Sequence, residues 1–351
     1  MKIKVELTSL QEALDTVAKV APPASGNITI ITKGPRLTIQ SAGEISRCTL
    51  VVPAEVQGDA EIAVPLQALK DAVKGRAAIE LSYVNSTLVV QAKAYKAELA
   101  TVDVIPLDDQ ETEETKNWKL TAEQGAWLRK SLRDVQLKPT SILSSWMPAG
   151  IKLTPKGAFV SCYDTQHMSW ATSKTVTGEF ECVLPIDTML GIVDVFYKSN
   201  FVIQQGKSQI TIRNGLAVVQ MSLPTADELP SISEVQAKIK EAGAEDGLTF
   251  TMAKSDCLTF FDNARAVLGK ERAEVLVSYT NGVELLIKTG QGQVKNKVKG
   301  SGQGHFAIDF EYLLELVTKA EDQVTLKVVG DAFLSSKLKS SSLIVALNQQ
   351  S

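Results

Sequence analysis

Two histidines and four cysteines are the only imidazoles and thiols in this chain of 351 residues. Neither His167 nor His305 has a second histidine or a cysteine at ligand spacing, so a zinc site or a histidine-based triad has no basis. Cys48, Cys162, Cys182 and Cys257 are scattered without a close pair, which leaves no metal knuckle or redox motif and reads as buried, reduced thiols. Carboxylates such as Asp164 and Asp187 could serve a hydrolase built on repeated α+β domains. No glycine-rich phosphate loop, nucleophile elbow or metal cluster accompanies them, however. The expectation is a protein with no catalytic residue, no metal and no cofactor.

With 44% hydrophobic and 22% charged residues, the composition fits globular domains, and the length suffices for two or three of them. The 37 basic and 40 acidic residues give a net charge of −3, which argues against a protein that coats nucleic acid over its whole surface. A local basic patch stays open. No apolar run approaches the roughly 18 residues of a membrane span. Met1-Lys2-Ile3-Lys4-Val5 alternates like a strand rather than a signal core, so a cytoplasmic protein is expected.

The elements carry more information than the reactive side chains. Val64-Pro65-Leu66, Leu184-Pro185-Ile186 and Ile308-Asp309-Phe310 each end a strand and open an amphipathic helix, with apolar followers Leu69 and Val73, Met189 and Val193, and Leu313 and Val317. The matching offsets read as three copies of one domain-sized unit. Each unit also begins with a strand leading into a helix. Thr8 with Gln11, and Thr121 with Gln124, have capping-box spacing, so helices are expected to start at these threonines. In the third unit Ala253 stands at that place, and Ser255 or Asp256 is expected to cap a slightly later start. Short runs of period-two alternation follow each helix, with Asn214-Gly215 and Asn281-Gly282 as hairpin turns. Each unit is thus two rounds of strand, helix and strands, an α+β fold class. Proline exits at Pro106 and Pro230 mark the ends of the first two units, and Ser233 to Lys240 reads as a short extra helix in the second linker. The predicted domains are 1–115, 116–245 and 246–351.

Taken together, these residues resemble the bacterial-type DNA polymerase sliding clamp, the β subunit that acts as a processivity factor. The resemblance rests on the three units, the proline segments and the closing apolar strand Ser342-Leu343-Ile344-Val345-Ala346-Leu347. The strongest local match is Val160-Ser161-Cys162-Tyr163-Asp164-Thr165-Gln166-His167-Met168, with one extra residue between Asp164 and His167. The long second linker and sparse basic charge suit a phage-encoded member. The resemblance implies a head-to-tail homodimer, a ring of six similar domains with helices lining the hole and antiparallel sheets outside. Double-stranded DNA, the replicative DNA polymerase and a clamp loader are the implied partners. Binding would be topological, so contacts to DNA need only be weak and salt-screened. A monomeric, non-ring DNA-binding processivity factor is the alternative, and a purely structural assembly protein a further one.

If the resemblance holds, the DNA-facing candidates are Lys70, Lys74 and Arg76 with the Leu66 helix; Arg129, Lys130, Arg133 and Lys138 with the Thr121 helix; Lys198 beyond the Pro185 helix; and Arg265, Lys270 and Arg272 in the third unit. The helices are expected to carry the basic charge while the remaining surface stays acidic. The partner-peptide pocket would use Leu153, His167, Met168, Leu229, Ile344, Val345 and Leu347, since a few aliphatic anchors supply most of the affinity for a short segment. Ala264-Arg265-Ala266-Val267-Leu268 resembles the stretch that packs against the neighbouring subunit, which implies Val267, Leu268 and Ile105 in the dimer interface.

Overall fold

The computed structural model describes residues 1–76, 78–104, 116–136, 148–163, 167–206, 208–223, 231–244, 246–268, 273–329, 333–338 and 341–346. In chain order the first copy runs β1 (Lys2–Glu6), α1 (Leu7–Val20), β2 (Asn27–Lys33), β3 (Arg36–Ala42), β4 (Ser46–Val52), β5 (Ala54–Gln57), β6 (Ala60–Pro65), α2 (Leu66–Val73), β7 (Ala78–Val84), β8 (Thr87–Ala92) and β9 (Tyr95–Ala100). The second runs β10 (Lys116–Leu120), α3 (Ala122–Val135), β11 (Pro148–Thr154), β12 (Gly157–Tyr163), β13 (His167–Ser173), β14 (Phe180–Pro185), α4 (Ile186–Phe196), β15 (Phe201–Gln205), β16 (Gln209–Arg213) and β17 (Ala217–Ser222). After α5 (Ile232–Ala244), the third copy comprises β18 (Leu248–Ala253), α6 (Lys254–Leu268), β19 (Glu274–Tyr279), β20 (Val283–Thr289), β21 (Gly292–Val298), β22 (Gly300–Ser301), β23 (Gly304–Asp309), α7 (Phe310–Lys319), β24 (Gln323–Val329), β25 (Phe333–Lys337) and β26 (Ser342–Ala346).

By contacts the chain divides into two compact units, Met1–Arg129 with Asp187–Thr225, and Lys130–Ile186 with Ala226–Ser351. In the first, one sheet has the order β5-β1-β7-β8-β9 and the other β10-β15-β16-β17-β4-β3-β2-β6. Alternation buries Ile28 and Ile30, Leu37 and Ile39, and Leu88 and Val90, and the apolar faces of α1 (Leu10, Leu14, Val17) and α2 (Leu69, Val73) are buried as well. In the second unit the sheets run β14-β11-β12-β13-β26-β25-β24-β18-β22 and β21-β20-β19-β23. Its core includes an edge-on aromatic train, with Phe260 to Phe261 centroids 5.6 Å apart and Phe261 to Phe310 5.1 Å apart.

Helix starts follow the strands before them. Thr121 forms the expected capping box: its N–H donates to Gln124 Oε1 at 2.8 Å and its hydroxyl accepts from the Gln124 N–H at 3.2 Å. Thr8 does not cap α1, which begins at Leu7 with Glu6 as an extended N-cap lacking a side-chain bond. β1 stays paired with β7 through Glu6, so the helix begins directly after it and Thr8 falls inside the first turn. Likewise α6 begins at Lys254, and the Asp256 carboxylate accepts from the Lys299 N–H at 2.9 Å instead of delaying the start. The extra helix is longer than expected, with Ser231 and Glu234 forming its own capping box at 2.6 and 3.2 Å.

All four cysteines are buried, and none forms a disulfide. Burial pushes the Cys48 and Cys257 thiols up to about 12, the latter aided by Asp256, and raises Cys182 further. Thiolate is the reactive form. Native protein at pH 8 is therefore expected to take up no iodoacetamide by mass measurement, and unfolded protein to take up one adduct per cysteine.

Candidate functional site

Of the described basic candidates, Lys70, Arg76 and Arg129 are engaged by neighbours within the fold, whereas Lys74, Lys130, Arg133, Lys198 and Arg265 are exposed. On α2, Lys70 Nζ lies 2.6 Å from Asp15 of α1, and Gln67 donates to Asp71 at 2.9 Å. These groups line an open cleft of about 320 Å³ between α1 and α2, whose mixed signs make it no anion trap. Lys74 is exposed at the C-cap of α2. Arg76 lies beyond the helix, with its guanidinium 3.7 Å from the Tyr95 ring centroid, so it serves β9 rather than a helix face. On α3, Arg129 Nε donates to Asp194 Oδ1 of α4 and the guanidinium stands 4.2 Å from the Tyr197 ring. That hydrogen bond raises the Arg129 pKa still further. Lys130 and Arg133 are exposed on α3, and Lys198 is exposed just past α4. Arg265 on α6 pairs with Asp262 at 3.5 Å. Lys138, Lys270 and Arg272 lie outside the described residues.

Basic charge is uneven among the helices. α4 holds Asp187 and Asp194 with no basic residue, while α7 holds Glu311 and Glu315 against Lys319. Nor does Lys319 reach outward. Its Nζ donates to the main-chain oxygens of Asp134 and Gln136 at the end of α3, at 3.1 and 2.8 Å, and pairs with Glu315 at 2.8 Å. Lys254 of α6 repeats the device on α7, donating to the Thr318 and Ala320 carbonyls at 2.9 and 2.8 Å. Cations that satisfy a helix's last carbonyls answer both the orphan acceptors and the dipole. Spacing within one helix carries no trace of such a partner, so neither lysine can be assigned this role from sequence.

The pocket candidates fall into two groups. His167 and Met168 on β13 pair in register with Val345 and Ile344 on β26, so this quartet is assembled from strands far apart in the chain. On the same sheet, α5 packs Ile232 and Val235 against Phe159 and Tyr163, with Met168, Trp170, Val183 and Ile239 around them. Burial there pushes the Tyr163 phenol up to about 12, with Cys162 and Glu234 adding to it. Leu153 is apart from the His167–Met168 strand pair: it lies near the turn of the β11–β12 hairpin, where it is buried. Leu229 and Leu347 lie outside the described residues. Among those described, no group of three His, Cys, Asp or Glu residues is placed to hold a metal, and no helix is long and apolar enough to cross a membrane.

Where copies meet within the chain, the last strand of one copy pairs with the third strand after the first helix of the preceding copy: β17 with β4, and β26 with β13. The remaining strands of these two types, β9 and β21, are both at sheet edges. Val267 and Leu268 lie beside one of them, since α6 packs on β21, and the Val267 carbonyl accepts from the Thr289 hydroxyl at 2.6 Å. Ile105 lies outside the described residues.

No protein-family model and no curated protein sequence matches the chain. Solved structures do. The DNA polymerase III beta subunit of Thermotoga maritima superposes with a TM-score of 0.81 at 14% identity, and pol III beta of Caulobacter crescentus with 0.79 at 14%, each covering 100% of both chains. The DNA polymerase III subunit beta of Pseudomonas aeruginosa gives 0.76 at 15%, again over 100% of both. Over its whole length this chain therefore has the fold of the bacterial DNA polymerase III beta subunits, the DNA polymerase sliding clamps.

Proposed function

We propose that the chain is a sliding clamp without catalytic activity, which encircles duplex DNA and tethers a replicative polymerase. Two copies join head to tail, and their domains 1–115, 116–245 and 246–351 make a ring of six. The observation that carries this reading is the pair of open edges. β9 and β21 are the third instance of a strand pair that the chain closes twice within itself, and an exposed edge is a template for further pairing. Because the two edges differ, their union is a heterologous contact, which closes into a ring when the rotation allows. Exposed Lys74, Lys130, Arg133 and Lys198 supply weak phosphate contacts, and the His167–Met168/Ile344–Val345 strand pair receives the short peptide of a polymerase or clamp loader. The mixed charge of the helices suits a ring held by topology rather than by counterion release.

The test is retention. Loaded on circular duplex by its loader, the protein is expected to stay bound through gel filtration at high salt and to run off once the circle is cut. Loss at high salt from intact circles, with a single-chain mass by sedimentation, would instead establish a monomeric open binder, whose affinity falls with salt at a slope of about −0.9 per neutralised phosphate.

A further inference from the structure

Strand register within the chain fixes the contact between two copies residue by residue. In the first copy an unbroken row of opposed residues runs Ala63, Thr29, Gln40, Thr49, then across the internal joint to Val218 and Arg213. In the second copy the corresponding row runs Val183, Gly150, Ser161, Trp170, then across to Ser342 and Lys337. Both start two residues before the strand-ending Pro65 or Pro185, and the two joints share one register. The third row runs Ala307, Leu276, Leu286, Lys295 and stops at the edge. Its missing continuation is Lys96, paired with Gln91, because Arg213–Val218, Lys337–Ser342 and Gln91–Lys96 are the matching rungs of three like hairpins.

We propose that in the closed ring Lys96 of one copy lies directly opposite Lys295 of the other, with Glu98 diagonal to Lys295 as the carboxylate that offsets the pair. This rests on the clamp reading and names the residues that set the strength of its subunit seam. The equivalent rungs inside the chain, Thr49 with Val218 and Trp170 with Ser342, are uncharged. The seam alone puts like charges face to face, an arrangement that weakens an antiparallel pair. Glu98 lies 2.5 Å from Lys96, and Glu284 lies 2.8 Å from Lys295, so closure lines up two lysines flanked by two carboxylates. The inward rung supports the same register. Cys48 and Val219, and Ser169 and Leu343, are buried at the internal joints, whereas their counterparts Val294 and Ala97 are half-exposed and await a second copy.

A double-mutant cycle tests the assignment by sedimentation of the full chain. Lys96→Glu and Lys295→Glu are each expected to lower the dimer dissociation constant about tenfold, since either makes the pair attractive at both seams of the ring. Combined, they restore like charges, and the gain is expected to vanish. Glu98→Gln is expected to raise the constant threefold or more. Single reversals without effect, or gains that simply add, in a protein that still dimerises would overturn the register while leaving the clamp reading standing. If every form stays a single chain at tens of micromolar, the seam and the ring fail together.

Discussion

Ala97→Glu is expected to leave the chain folded and to abolish its assembly. Ala97 is half-exposed on the inward face of edge strand β9, so a longer side chain meets solvent in the separated subunit. Surface changes of this type usually alter stability by no more than about 0.5 kcal/mol. In the closed seam the same carboxylate would face Val294 on the inward side, away from Glu98 and the lysines. Burying an unpaired charge costs several kcal/mol, and a two-chain ring meets that cost at both seams. The dimer dissociation constant should rise at least a hundredfold by sedimentation, with retention on circular DNA lost in step. Ala54→Glu, at a half-buried alanine on the opposite edge strand β5 of that sheet, should change neither. An Ala97→Glu protein that assembles normally would remove β9 from the subunit contact.

The second large effect is on stability. Lys319→Met is expected to lower the unfolding free energy by about 2–4 kcal/mol, because Glu315 loses its cation and the end of α3 loses a charged donor. The Glu315 side chain is only 8% exposed, so water compensates little. For a unit of this size the melting temperature should fall by roughly 5–10 °C. Adding Glu315→Gln removes the stranded charge and should recover about half the loss, since a neutral amide tolerates that site better. A DNA contact would behave in the opposite way, with melting unchanged and only duplex affinity reduced.

Much of the architecture was legible along the chain. Period-two runs located the strands, Asn-Gly pairs marked two hairpins, and the matched apolar offsets after Pro65, Pro185 and Asp309 announced a repeating unit. These signals are local, and the forces behind them, turn conformations and the burial of one face, act over a few residues. Legibility ended where a partner came from elsewhere. Thr8 has capping-box spacing, yet the pairing of β1 overrides it. Leu153 has the aliphatic character of a pocket residue, and the sheet places it at the far end of its hairpin.

Charge shows the limit most clearly. Arginine and lysine on a helix read alike in sequence, whether they face solvent or another element. Only the fold sends Arg129 to Asp194, Lys70 to Asp15 and Lys319 to the end of α3. The sequence by itself determined the α+β alternation, the threefold pattern and the poverty of catalytic groups, because these depend on residue type and spacing. The tertiary structure alone decided which strands end as open edges, which cations remain exposed and which residues would meet across a seam. Those properties depend on hydrogen-bond register handed from strand to strand, and a register exists only once strands distant in the chain have paired.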